Sequence, residues 1–93
     1  MIQSFADKST EAIWLGRRPP ELPPSIHKVA LRKLTQLEAV SNLDEFRIPP
    51  GNRLEALKRD RAGQHSIRVN DQYRVCFRWD GNNAHDVEIT DYH

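Results

Sequence analysis

Between Gln64 and Trp79 the chain alternates apolar and polar residues with a period of two, broken only at Asn70-Asp71-Gln72. Ile67, Val69, Tyr73, Val75, Phe77 and Trp79 fall on one face; Ser66, Arg68, Arg74, Cys76 and Arg78 fall on the other. Such alternation predicts two half-buried strands forming a hairpin, with the polar break as its turn. The pattern also dictates register, because a one-residue slip would set core side chains opposite solvent-facing ones. A three-residue loop pairs Val69 with Tyr73, Ile67 with Val75 and Arg68 with Arg74, whereas a two-residue loop would set Ile67 against Arg74. The favoured register brings two arginines face to face, and like charges opposed across a sheet repel. Neighbouring Asp or Glu side chains would offset that repulsion, and so would a bound phosphate.

The chain length of 93 residues fits one small domain, 1–93, burying somewhat more than ~60% of its unfolded surface. A hydrophobic share of 38% and a charged share of 29% suit a globular protein in water. Cys76 has no second cysteine to pair with, which suits a reducing, cytoplasmic setting. The four histidines are scattered and give no metal-ligand spacing, so neither metal nor cofactor is expected. The opening Met1–Phe5 is broken too soon by Asp7-Lys8 for a signal peptide, and no apolar run approaches a membrane span. Net charge is only +1, but its distribution is uneven. Arg53, Lys58, Arg59, Arg61, Arg68, Arg74 and Arg78 face only Glu55, Asp60 and Asp71 over the same stretch.

Ile2–Phe5 reads as a short edge strand, and Asp7 as the cap of a short helix through Ala12, Ile13 and Leu15 that stops at Gly16. The proline pairs 19–20 and 23–24 make a stiff bridge between helices. Ser25 is placed to cap the one long helix, about Ile26 to Val40. Ile26, Val29, Ala30, Leu34 and Leu37 form its apolar stripe, with Lys28, Arg32, Lys33 and Gln36 on the outer side. Ser41–Asp44 fits a capping box opening a short turn that ends near Phe46, and Pro49–Asn52 turns the chain into a strand at Arg53–Leu57. A final strand over 85–92 pairs Phe77 with Val87 and Val75 with Ile89, setting Arg78 opposite Asp86, Cys76 opposite Glu88 and Arg74 opposite Thr90. Helices first and strands after predict an α+β fold, its helices covering one face of a mostly antiparallel sheet.

The uncovered face is then polar and basic. It gathers Arg68, Arg74 and Tyr92 on the sheet, Lys58, Arg59 and Arg61 in a rim loop, and His93 at the end. Guanidinium groups bind phosphate oxygens bidentately and stay charged. A tyrosine ring stacks on an unpaired base, and a histidine titrates near neutral pH. Together such groups suit cleavage of RNA without metal: a base activates the ribose 2′-hydroxyl, an arginine stabilises charge on phosphorus, and an acid protonates the leaving oxygen. The same residues also fit a surface arginine cluster partnered by Asp60, Asp71 and Asp86.

The opening MIQSF, the segment NRLEALKRDRAGQHSIRVNDQYRVCF and the closing DYH resemble the HigB group of RelE-like toxins from bacterial type II toxin–antitoxin systems. The resemblance runs nearly end to end and implies a compact RelE-like α+β domain. It implies ribosome-dependent cleavage of translated messenger RNA without metal, leaving a cyclic or 3′ phosphate. It also implies a cognate HigA-like helix-turn-helix antitoxin as partner, with operator DNA reached only through that antitoxin. By position, Arg74 matches the family arginine at the scissile phosphate, and Asp91, Tyr92 and His93 match the functional end. Where studied members carry a histidine, this chain has Glu55, which can accept a proton but brings no positive charge to a phosphate. That departure favours a competing reading, a non-catalytic module that docks on RNA, the ribosome or an antitoxin. A third is an interaction module for an acidic chain.

Overall fold

Asp7 opens the first helix, α1 (Lys8–Trp14), from an extended backbone: its carboxylate accepts the Thr10 N–H at 2.7 Å. A side-chain cap of this kind contributes about 1 kcal/mol. Gly16, at φ 79°, takes the left-handed conformation that ends the helix, and its N–H reaches the Ile13 carbonyl at 3.1 Å. The structure, a computed structural model, describes residues 1–91. Tyr92 and His93 lie outside the described residues.

The long helix α2 (Pro24–Ala39) starts earlier than the Ser25 cap predicts. Pro23 stands at the cap position without a side-chain bond, and Ser25 lies within the first turn. Proline explains this, since its fixed φ suits the first helical residue and it has no N–H there to satisfy. The expected stripe is otherwise in place: Ile26, Ala30, Leu34 and Leu37 are buried, and Val29 packs against them. Lys28 and Arg32 are exposed. Lys33 and Gln36 are not simply on an outer face, because both bond the buried Asn52.

Two 3-10 turns, Leu43–Arg47 and Pro50–Asn52, lead from α2 to the sheet. Asn42 precedes the first with no capping bond to the backbone, so the expected Ser41–Asp44 box does not form. Phe46 anchors this segment instead: it is fully buried, with its ring 5.4 Å from Phe77 and 5.6 Å edge-on to Trp79. Aromatic pairs of this geometry contribute about 0.5–1.5 kcal/mol beyond the area they bury.

The sheet is an antiparallel meander of β1 (Glu55–Ala56), β2 (Gln64–Arg68), β3 (Arg74–Asp80) and β4 (Asn83–Thr90), neighbours in that order. The β2–β3 register is the expected one, with Ile67 opposite Val75 and Arg68 opposite Arg74. Its turn closes on Asn70, whose Oδ1 accepts the N–H groups of Gln72 and Tyr73. β1 is shorter than Arg53–Leu57, because Arg53 is left-handed at φ 47° and cannot extend the strand.

Pairing of β3 with β4 follows expectation at Arg74–Thr90, Val75–Ile89 and Cys76–Glu88, then shifts, so that Arg78 lies opposite His85 rather than Asp86. Ala84 and Val87 are both fully buried, yet they differ in parity along the strand. One residue must therefore be absorbed, and Asp86 does so with a left-handed backbone at φ 52°. Its carboxylate still pairs with Arg78 at 3.5 Å. The expected N-terminal edge strand is reduced to parallel bridges of Ile2 with Ala84 and Phe5 with Val87, and Ser4 Oγ accepts the Asp86 N–H between them.

Both helices cover one face, as expected for α+β, and the Thr10 hydroxyl joins α1 to β4 by accepting the Ile89 N–H. The opposite face is less open than alternation predicts. Ser66 and Cys76 are fully buried on it. Among the described residues no helix is long and apolar enough to cross a membrane.

Candidate functional site

Arg74 enters from the first position of β3, and two acceptors fix its guanidinium. Nε donates to Ser66 Oγ at 2.9 Å, and Nη2 donates to the Arg53 carbonyl at 2.6 Å. Ser66 lies on the diagonal from Arg74 across the β2–β3 ladder. The Arg53 carbonyl comes from the left-handed residue just before β1. Both acceptors are neutral, so the bonds orient the group without cancelling its charge. Among the described residues, the rest of a guanidinium's five donors remain for a second ligand.

Around Arg74 the chain forms a concavity of about 340 Å³ lined by Arg53, Glu55, Arg68, Asn70, Asp71, Gln72 and Arg74. A second one, about 730 Å³, runs along Glu55 to Arg61. Glu55 lines both, so the two meet at β1. Basic residues outnumber acidic ones on these walls. A local excess of this sign attracts an anionic chain.

The arginines differ in their partners. Arg68 ion-pairs with the exposed Asp71 of the hairpin turn, which answers its repulsion from Arg74 with a carboxylate. Arg61 lies 3.1 Å from Glu88 Oε1 and bonds Gln64 as well, tying the rim loop to the sheet. Arg59 is left-handed at φ 57° within the 3-10 turn Arg59–Arg61, and Lys58 precedes that turn. Thus Glu55, Arg68 and Arg74 converge on one concavity, while Lys58, Arg59 and Arg61 line the adjoining one. Asp91 is not on these walls but is tied to one of their residues, its Oδ2 accepting from Gln72 Nε2 at 2.9 Å. The expectations for Tyr92 and His93 fall outside the described residues.

Burial pushes the Cys76 thiol up to about 11, against the lowering pull of Arg61 and Arg74. It is therefore a neutral, inert side chain beneath the site at neutral pH. Lys33, on α2, is held below the usual lysine range, chiefly by burial and then by Arg32 and Arg68. No group of three His, Cys, Asp or Glu able to hold a metal occurs among the described residues.

Sequence reading missed Ser66, Arg53, Asn52 and Lys33. Ser66 was legible, since the hairpin register puts it diagonal to Arg74. Arg53 acts through its carbonyl, which no side-chain pattern reveals. Asn52 reads as an ordinary turn residue after Pro49-Pro50-Gly51.

A family model for HigB, described as the RelE-like toxin of a type II toxin–antitoxin system, matches residues 3–93. The chain belongs to this HigB-like toxin family. The HigB-like chain is similar to Toxin HigB-1 of Vibrio cholerae serotype O1, at 42% identity over 80 residues covering 85% of this chain and 84% of the relative. It is also similar to an uncharacterized protein of Haemophilus influenzae, at 36% identity over 74 residues covering 80% and 73% of the two chains. Among solved structures, the YoeB-YefM complex from Staphylococcus aureus contains a chain of the same fold, with a TM-score of 0.56. That match covers 100% of the HigB-like chain and 98% of the other at 16% identity, a likeness of fold alone.

Proposed function

We propose that this HigB-like toxin is an endoribonuclease that cuts translated messenger RNA on the ribosome, and so inhibits translation and growth. The observation that carries the proposal is the guanidinium of Arg74, held by two neutral acceptors at the concavity it shares with Arg53, Arg68 and Glu55. A cation so oriented suits a non-bridging phosphate oxygen, where negative charge grows as the reaction proceeds.

In the proposed step a base takes the proton of a ribose 2′-hydroxyl, the 2′-oxygen bonds to phosphorus, and the bond to the 5′-oxygen breaks. An acid returns a proton to that oxygen, leaving a cyclic phosphate and a 5′-hydroxyl. No metal takes part in this scheme. Glu55, beside Arg74, has the chemistry of the base. His93 has that of the acid, Tyr92 offers a stacking surface for a base, and Asp91 orients the chain end. Lys58, Arg59, Arg61 and Arg68 are assigned to the flanking RNA backbone. The single domain works in the cytoplasm, under a HigA-like helix-turn-helix antitoxin that also carries it to operator DNA.

A second reading, ribosome or antitoxin docking without cleavage, is favoured by Glu55, a negative charge on the wall of the Arg74 concavity. Mapping the 5′ ends of cellular messages after brief induction separates the two. Cuts concentrated within translated codons are expected, whereas arrested translation with intact messages would overturn the nuclease.

A further inference from the structure

Asn52 is fully buried, and its side-chain amide bonds in several directions. Its Nδ2 donates to Gln36 Oε1 at 2.9 Å, to the Phe46 carbonyl at 3.1 Å and to the Ile48 carbonyl at 3.4 Å. Its Oδ1 accepts from Lys33 Nζ. One side chain thus ties α2 to both 3-10 turns. A buried amide with its donors and acceptor satisfied holds its backbone in one place, since any shift leaves a polar group unpaired.

What Asn52 holds is the next residue. Arg53 is left-handed at φ 47°, ψ 55°, a conformation an arginine adopts only where its surroundings impose it. That conformation aims the Arg53 carbonyl at Arg74 Nη2, 2.6 Å away. The Arg53 N–H is itself bonded to the Pro50 carbonyl at 3.1 Å, so Arg53 is tied through both its N–H and its carbonyl.

We propose that Asn52 is a positioning residue for the reaction: it fixes the Arg53 carbonyl, and through it the guanidinium plane of Arg74. The role rests on the proposed nuclease function. Ser66 restrains Arg74 from the sheet side at Nε, and the Arg53 carbonyl restrains it at Nη2 from the end of the Pro50–Asn52 turn. With both restraints the plane is set; with Ser66 alone it turns about its Nε bond. Lys33 adds a link from α2 by donating to Asn52 Oδ1.

The test uses the full chain on programmed bacterial ribosomes, with Asn52→Ser as first variant and Gln36→Met as second. Gln36→Met removes one acceptor of the Asn52 amide without changing charge, and it keeps the test open if Asn52→Ser does not fold. In a folded variant, single-turnover cleavage should fall about tenfold to a hundredfold for a misplaced catalytic group, while ribosome affinity stays near the parent's. In an Arg74→Lys background, which lacks the Nη2 fork, Asn52→Ser should add little, since residues acting through one group are not additive. The Arg74 side-chain N–H signals, read by nuclear magnetic resonance, should exchange with solvent faster in both variants. A folded variant that cleaves at the parent rate, or a defect that adds in full to Arg74→Lys, would overturn the positioning role. Arg74→Ala that cleaves normally would instead remove the proposed nuclease site itself.

Discussion

Arg74 donates through Nε to Ser66 Oγ at 2.9 Å, so the only hydroxyl on the buried stretch of β2 orients the guanidinium from the neighbouring strand. Ser66→Ala leaves Arg74 charged but removes that acceptor. The substitution should lower stability by about 1 kcal/mol, the net worth of one such bond, and reduce cleavage more than ribosome binding. Arg74→Lys should show the same split more strongly, because an ammonium has no planar fork. Thermal melting and single-turnover rates read the two effects separately.

Cys76 sets a pH dependence. Its thiol is raised from 9.0 to about 11 by burial, so the folded protein favours the neutral form more than the unfolded chain does. That contribution to stability is fully present below pH 9 and is lost as pH rises through about 11. Denaturant midpoints should therefore fall over that window, and Cys76→Ala should flatten this part of the profile. A thiol reagent at pH 7 should label the native protein slowly and the unfolded chain at once.

The basic walls around Glu55 predict strong salt dependence. Affinity for ribosomes carrying a message should fall with added salt, with a slope of about −0.7 for each phosphate neutralised on a single strand. Removing Lys58, Arg59 or Arg68 should each flatten the slope by about that amount. A flat response would assign the basic face to a protein partner.

The chain end carries a prediction that comes from sequence. β4 ends at Thr90, and the buried core residues of that strand are Ala84, Val87 and Ile89. Deleting Tyr92 and His93 should therefore change the melting temperature little while removing growth inhibition. Asp91 is kept, since it accepts from Gln72. His93→Gln should lower the cleavage rate more than ribosome binding. A truncated protein that fails to fold would make the end a structural clasp.

The central hairpin was legible because its alternation leaves one register that buries Ile67, Val75 and Phe77 together. The same logic failed at β4, where Ala84 and Val87 need opposite parity to reach one core, and only an extra residue at Asp86 reconciles them. Ser25 was a fair cap by residue type, but Pro24 pre-empted it. At the site, the charged side chains were legible from composition and placement. Their orientation was not. It depends on the Arg53 carbonyl and on the Asn52 amide, a backbone group and a buried turn residue whose roles appear only once α2 and the two 3-10 turns pack together.

The most direct measurement is single-turnover cleavage of a labelled message on programmed ribosomes, comparing the parent with Arg74→Ala at concentrations that saturate binding. The parent should produce a 5′-hydroxyl fragment and a partner ending in a cyclic or 3′ phosphate, at a rate that Arg74→Ala lowers to background while it still binds and folds. Equal cleavage by the two proteins would contradict Arg74 as the phosphate group. An intact message bound by an inhibitory parent protein would contradict cleavage altogether.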